Sequence, residues 1–209
     1  MTEPETSGPS TAKPAVEAMV TFEDTIQAED AYVAALGRVA FAWNRLHEKL
    51  GVLFVAVSGM ERKVALTKWY SVRSDRAQRE MLKAAVFATS SQRSEKLPDA
   101  PDDDLIWLLE SVDDLAEDRN NAVHAPCSLF ISESGSEMVA AFFDGNPRAK
   151  NLMGKRLLVE FAWCEKCAET LISFTERLGV AIAFPERFPW PQRPKILSRE
   201  DCSGEGRRS

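Results

Sequence analysis

The sequence predicts an all-α protein, a bundle of four to five helices with a short β-hairpin insert. Three segments carry apolar residues at alternating steps of three and four. One short stretch between them switches to strand-like composition on either side of a turn. Of the 209 residues, 44% are hydrophobic, enough for a core in a chain the length of one ordinary domain.

The first twenty or so residues are rich in Pro, Ser, Thr and Glu and bury too little to fold. Residues 1–22 are therefore expected to be a disordered tail. A long helix is predicted from about Ala28 to Val57, because Tyr32, Leu36, Val39, Trp43, Leu46, Leu50, Leu53 and Val57 make one stripe. Gly59 is a plausible stop. A shorter helix follows from Glu61 to about Tyr70, and Ser74 can cap another from Asp75 to about Ala88. "SSQRSEKLPDAP" reads as a loop. The acidic run Asp102-Asp103-Asp104 suits the positive end of the next helix, which carries Leu105, Leu108, Leu109, Val112, Leu115 and Ala116 and ends before Pro126. "CSLFIS" and "EMVAAFF" flank "ESGS" as a small hairpin. A last long helix is predicted over about Lys155 to Ala183, with Leu157, Phe161, Cys164, Ala168, Leu171 and Leu178 on one face. The helical domain thus spans 23–184. The Pro-rich end, 185–209, is expected to be largely disordered, with Trp190 able to dock it onto the body.

The formal net charge of -6 argues against a general nucleic-acid coat but leaves room for a local basic site. No stretch is apolar enough to span a membrane, the N-terminus lacks the pattern of a secretory signal, and four cysteines do not suggest a disulfide framework. The expected setting is cytoplasmic and reducing. There is no glycine-rich phosphate loop, HExxH or G-x-S-x-G elbow. "CEKC", Cys164 to Cys167, resembles half of a metal site. Both cysteines fall on an apolar helix face, where free thiols behave as small hydrophobes. No metal and no cofactor are expected.

The chemical lead is "EDRNNAVHAPC". At about 100° per residue, with Leu105 at zero, the apolar arc of the Asp102 helix runs from roughly 260° through zero to roughly 40°. On the same wheel Arg119 falls near roughly 320°, inside the apolar arc, Asn120 near roughly 60° and His124 near roughly 100°. A guanidinium in that arc needs a carboxylate, carbonyls, a wet cleft or an anionic ligand. Arg119 and His124 are about 140° apart, so they can share a site only if the helix distorts near Pro126 or a second protomer faces the first. The alternative is that both simply favour the negative end of a helix.

"RNNAVH" resembles the Arg-x4-6-His motif of the HEPN superfamily (higher eukaryotes and prokaryotes nucleotide-binding domain), in which a polar residue, often Asn, follows the arginine and the motif ends a late helix of a helical bundle. The resemblance covers about residues 28 to 183. It implies a metal-independent endoribonuclease acting through a composite site at a homodimer interface, with 2′,3′-cyclic phosphate products. It also implies a role in defence, toxin or RNA-processing systems, with an antitoxin or regulatory protein as a further partner. Carried over by position, His124 acts as general acid/base, Arg119 stabilises phosphate charge and Asn120 orients His124 or the phosphate. Members paired with antitoxins often carry a tyrosine two residues after the histidine, where this chain has Pro126. The alternative within the resemblance is a non-catalytic helical interaction or nucleotide-binding module.

Three further residues are substrate-binding candidates. Arg76 and Arg79, three apart, share a helix face and read either as a phosphate-binding patch or as a solvated face paired with Glu80 or Asp75. His47 borders the first helix's apolar stripe, close in sequence to Asn44 and Glu48. Histidines in that position are usually boundary residues of the core.

Overall fold

The stripe that begins at Tyr32 belongs to one continuous helix, α1 (Phe22–Ser58), in the computed structural model, which describes residues 22–90, 101–132, 135–141 and 146–202. It starts six residues before the expected Ala28, so Phe22, expected in the disordered tail, is helical; the rest of that tail lies outside the described residues. Glu23 and Asp24 in its first turn suit the helix dipole. Gly59, at φ 64°, takes the left-handed conformation that ends it. Then follow α2 (Arg62–Ser71), α3 (Asp75–Thr89), α4 (Pro101–His124), β1 (Cys127–Ser132), β2 (Gly135–Ala140), α5 (Pro147–Leu152) and α6 (Leu157–Ala183). This is an all-α bundle with a two-stranded antiparallel insert.

The apolar stripes bury one another. Leu46, Leu50 and Leu53 of α1 pack in one core with Phe161, Phe174 and Leu178 of α6, Leu82 and Val86 of α3 and Leu105, Leu108 and Val112 of α4, all nearly inaccessible to solvent. Full burial of such side chains, at roughly 1.5–3 kcal/mol each, is what holds the bundle together. Trp69 of α2 is buried against α1 because Gly51 leaves room for it. A Cβ on residue 51 would come within 2.9 Å of the indole nitrogen.

The caps follow the sequence. Ser74 accepts from the Ala77 amide at 3.1 Å to start α3, and both Glu61 carboxylate oxygens accept from the first amides of α2. The second strand of the hairpin starts earlier than expected. Cys127 pairs with Ala140 and Ser132 with Gly135, so the second strand starts two residues before Glu137 and only two residues remain for the turn. Helix α5 was not expected; Asn146 caps it by accepting from the Arg148 amide at 3.1 Å, and Pro147 opens it. Of the loop expected over "SSQRSEKLPDAP", residues 91–100 lie outside the described residues.

The C-terminal segment departs most from its composition. Its described residues, 185–202, form no α-helix, as their prolines require, yet they lie on the bundle as an irregular strap ending in a 3-10 turn, Glu200–Cys202; residues 203–209 lie outside the described residues. Trp190 Nε1 donates to Asp104 Oδ2 at 2.6 Å, and Arg193 pairs with the same carboxylate and stacks on Trp107. Trp163 Nε1 donates to the Leu197 carbonyl at 2.8 Å. Arg199 binds both oxygens of the buried Glu160 at 3.0 and 2.8 Å, reaches Asp118 at 2.9 Å and stacks 4.0 Å from the Trp163 ring. Specific polar and aromatic anchors order a segment that proline and charge content alone marked as disordered. Among the described residues no helix is long and apolar enough to cross a membrane.

Candidate functional site

Helix α4 presents two faces near its C-terminal end, and its candidate residues divide between them. The helix runs without a break to His124, and the Ala125 amide still bonds to the Asn121 carbonyl at 3.0 Å. No distortion before Pro126 therefore swings Arg119 toward His124. The two point to different sides, as helical geometry predicts.

Arg119 faces inward. Its guanidinium lies over the ring of Trp43 of α1, 5.5 Å from the centroid, and Arg79 of α3 lies 5.8 Å from the same ring. Trp43 is in turn fixed by its indole N–H, which donates to Asp75 Oδ2 at 2.8 Å. Arg119 Nη1 donates to Asn120 Oδ1 at 3.0 Å, while the buried Nε has no hydrogen-bond partner. Among the described residues no carboxylate pairs with Arg119. The guanidinium is thus held by an aromatic face and a neutral amide, and its charge is not cancelled locally.

Arg79, by contrast, is neutralised. It is buried, at 6% exposure, rather than lying on a solvated face, and its Nε donates to Asp113 Oδ1 of α4 at 2.6 Å. Its partner is neither Glu80 nor Asp75, because the side chain runs under the helix toward α4. Arg79 Nη1 also meets His47 Nε2 at 3.3 Å. A guanidinium can only donate, so Nε2 accepts and the ring proton sits on Nδ1, donating to Gln78 Oε1 at 3.3 Å. Gln78 is aligned for this by donating its amide to the Trp69 and Val72 carbonyls. Burial lowers the pKa of His47 below its ordinary value. Asp75 and Gln78 push the other way, and the Arg79 and Arg119 charges push it down again. The contact to Asp75 at 3.9 Å is too long, and that carboxylate too engaged with Trp43, to hold a proton on the ring. His47 is a neutral, buried part of the support under Trp43 and Arg79.

The outward face of α4 lines an open groove of about 670 Å³. Arg76 and Arg79 of α3 form one wall, Arg148 and Asn151 of α5 the other, and Asp113, Glu117, Asn120 and Asn121 the floor. Arg76 is exposed, so both α3 arginines meet the groove, one at the rim and one from within. Asn120 joins two faces. Its carbonyl oxygen accepts from Arg119, and the residue also lines the groove. Asp113, Glu117, Asn120 and His124 recur at steps of four, three and four, so the exposed His124 continues this stripe one turn past the groove floor.

Asn121, Arg148 and Asn151 were not picked out by sequence reasoning, nor was Trp43 as more than core. Asn121 lies inside "RNNAVH", and the polar stripe through Asp113, Glu117 and Asn120 was visible on the helix wheel. Arg148 and Asn151 belong to α5, too short to carry a periodic signal. Cys164 and Cys167 are buried in the core, where loss of hydration foremost pushes their thiols up, to about 12 and about 11. Such thiols are poor metal ligands and nucleophiles.

Comparison of the chain with family models, curated proteins and solved structures finds no match.

Proposed function

We propose that the chain is a metal-independent endoribonuclease that works as a homodimer, with RNA running along the groove face of α4 toward His124. The observation that carries this reading is the Arg119–Asn120 pair: a guanidinium without a carboxylate partner among the described residues, stacked on Trp43, holds the side chain of Asn120, which lines the groove on the stripe that leads to His124. In this reading Asn120 donates to a phosphate oxygen, and Arg119, one layer behind, is a positioning residue that adds positive potential.

The chemistry needs no external nucleophile. A general base takes the proton of the ribose 2′-hydroxyl, the 2′-oxygen attacks phosphorus, and the 5′-oxygen leaves with a proton from a general acid. The products are a 2′,3′-cyclic phosphate and a 5′-hydroxyl. One protomer brings a single histidine to this face, so the acid and base are the His124 side chains of two protomers facing one cleft.

The test is cleavage of a mixed RNA pool in the presence of chelator by wild type, His124→Ala and Arg119→Ala. The expected result is cyclic-phosphate ends from wild type and their loss in both variants with thermal unfolding unchanged for His124→Ala. Cleavage by His124→Ala equal to wild type overturns the reading. A second reading, a non-catalytic nucleotide-binding or interaction module, is favoured by the divergence of Arg119 and His124 within one protomer; it predicts RNA or nucleotide binding without cleavage.

A further inference from the structure

We infer that the groove between α3, α4 and α5 holds a subsite for one nucleoside phosphate unit, with Asn121 reading the base and the rim arginines Arg76 and Arg148 holding the phosphate. The inference rests on the nucleic-acid reading of the same face but not on cleavage. Its starting point is Asn121. The residue is more than nine-tenths buried and lines the groove, yet among the described residues its carboxamide makes no hydrogen bond. The carboxamide of a groove-lining residue that has no internal partner is free to pair with a ligand. A carboxamide offers two donors and an acceptor side by side, the pattern that pairs with a nucleobase edge.

The charges around it define the rest of the ligand. Arg79 is occupied by Asp113, so it is not the main anion contact. Arg76 and Arg148 are exposed, come from opposite walls and form no ion pair among the described residues. They are therefore available to a phosphate. Glu80 and Glu117 also line the groove, so it carries no excess of positive charge to attract a bare anion. A ligand must contribute the base contact as well as the phosphate. The volume of about 670 Å³ lies within the range of small-molecule sites and admits a nucleotide.

The same chemistry is offered by a free nucleoside monophosphate and by one unit of a single-stranded RNA, and the two are separated by titrating both. The full chain carrying His124→Ala, which leaves the groove intact while removing the proposed acid/base group, is titrated calorimetrically with the four ribonucleoside monophosphates, with inorganic phosphate and with short homopolymeric RNAs. The expected result is saturable binding with a preference among the bases, and inorganic phosphate weaker by at least about tenfold. Tighter binding of the RNA than of any monophosphate identifies a strand as the ligand; equal binding identifies the free nucleotide. Asn121→Leu is expected to erase the base preference while the protein stays folded. Arg148→Ala, an exposed change, is expected to weaken every phosphate ligand. Absence of nucleotide binding to the folded protein, or an unchanged base preference in Asn121→Leu, overturns the subsite. Should Asn121→Leu unfold, Asn121→Asp replaces it, with altered preference expected and unaltered preference contrary. Binding without any RNA cleavage by wild type leaves the subsite standing and removes the ribonuclease reading. Cleavage with no base preference does the reverse.

Discussion

Two sides of α4 are built from the same kinds of residue and finished in opposite ways. On the strap side, Asp104 takes Trp190 and Arg193, Asp118 takes Arg199, and Arg199 also holds both oxygens of Glu160. On the groove side, among the described residues, the Asn121 carboxamide has no hydrogen bond and Arg76 and Arg148 have no ion pair. Charges that serve stability find partners inside the fold, because an unpaired buried charge costs more than a pair gains. Polar groups left open in a concave site serve something that arrives from outside. The strap side is therefore read as architecture and the groove side as the working face.

The comparison breaks first at Arg199. Its removal leaves the buried Glu160 carboxylate with only the longer contact to Lys155 at 3.7 Å, so Arg199→Ala is expected to lower stability by about 2–3 kcal/mol in urea unfolding. Proteolysis should also cut the strap sooner, and an unchanged midpoint would move this side out of the architectural class. Asp104→Ala removes an acceptor shared by Trp190 and Arg193 and should cost about 1–2 kcal/mol by the same measurement, with bundle helicity retained.

A smaller effect comes from His47, beneath the groove. Its pKa in the folded protein lies below the unfolded value of about 6.5, so acidification protonates the unfolded chain more readily. Its contribution to stability is complete above about pH 6.5 and is lost as pH falls below it. The urea midpoint should drop between pH 7.5 and 5.5, and part of that drop should vanish in His47→Gln. An identical slope in the variant would remove His47 from the account. The smallest change is expected from Arg148→Ala, within about 0.5 kcal/mol of wild type in stability. A larger loss would show that this rim arginine is a structural partner.

Sequence periodicity located α1, α4 and α6 because each buries a stripe several turns long, and the local capping chemistry of Ser74 located the start of α3. The strap escaped because its order comes from anchors such as Trp190 on Asp104 and Arg199 on Glu160, dozens of residues apart in sequence. The anomaly of Arg119 inside an apolar arc was legible; its resolution on Trp43, contributed by another helix, was not. Arg79 looked like one charge in a solvated run because only the packing of α3 on α4 brings Asp113 to it. His124 and Arg119 were correctly kept apart by the helix wheel, and the polar stripe from Asp113 to His124 was on that wheel as well. Its meaning depended on α5, whose six residues supply the opposite wall.

The most direct test of the working face is photo-crosslinking of single-stranded RNA containing 4-thiouridine to the full-length protein, followed by peptide mapping. The account predicts crosslinks on the 113–124 segment of α4 and on α5, reduced by Arg148→Ala, with none on the strap. Crosslinks concentrated on the strap or on other faces of the bundle, with the groove untouched, would contradict it.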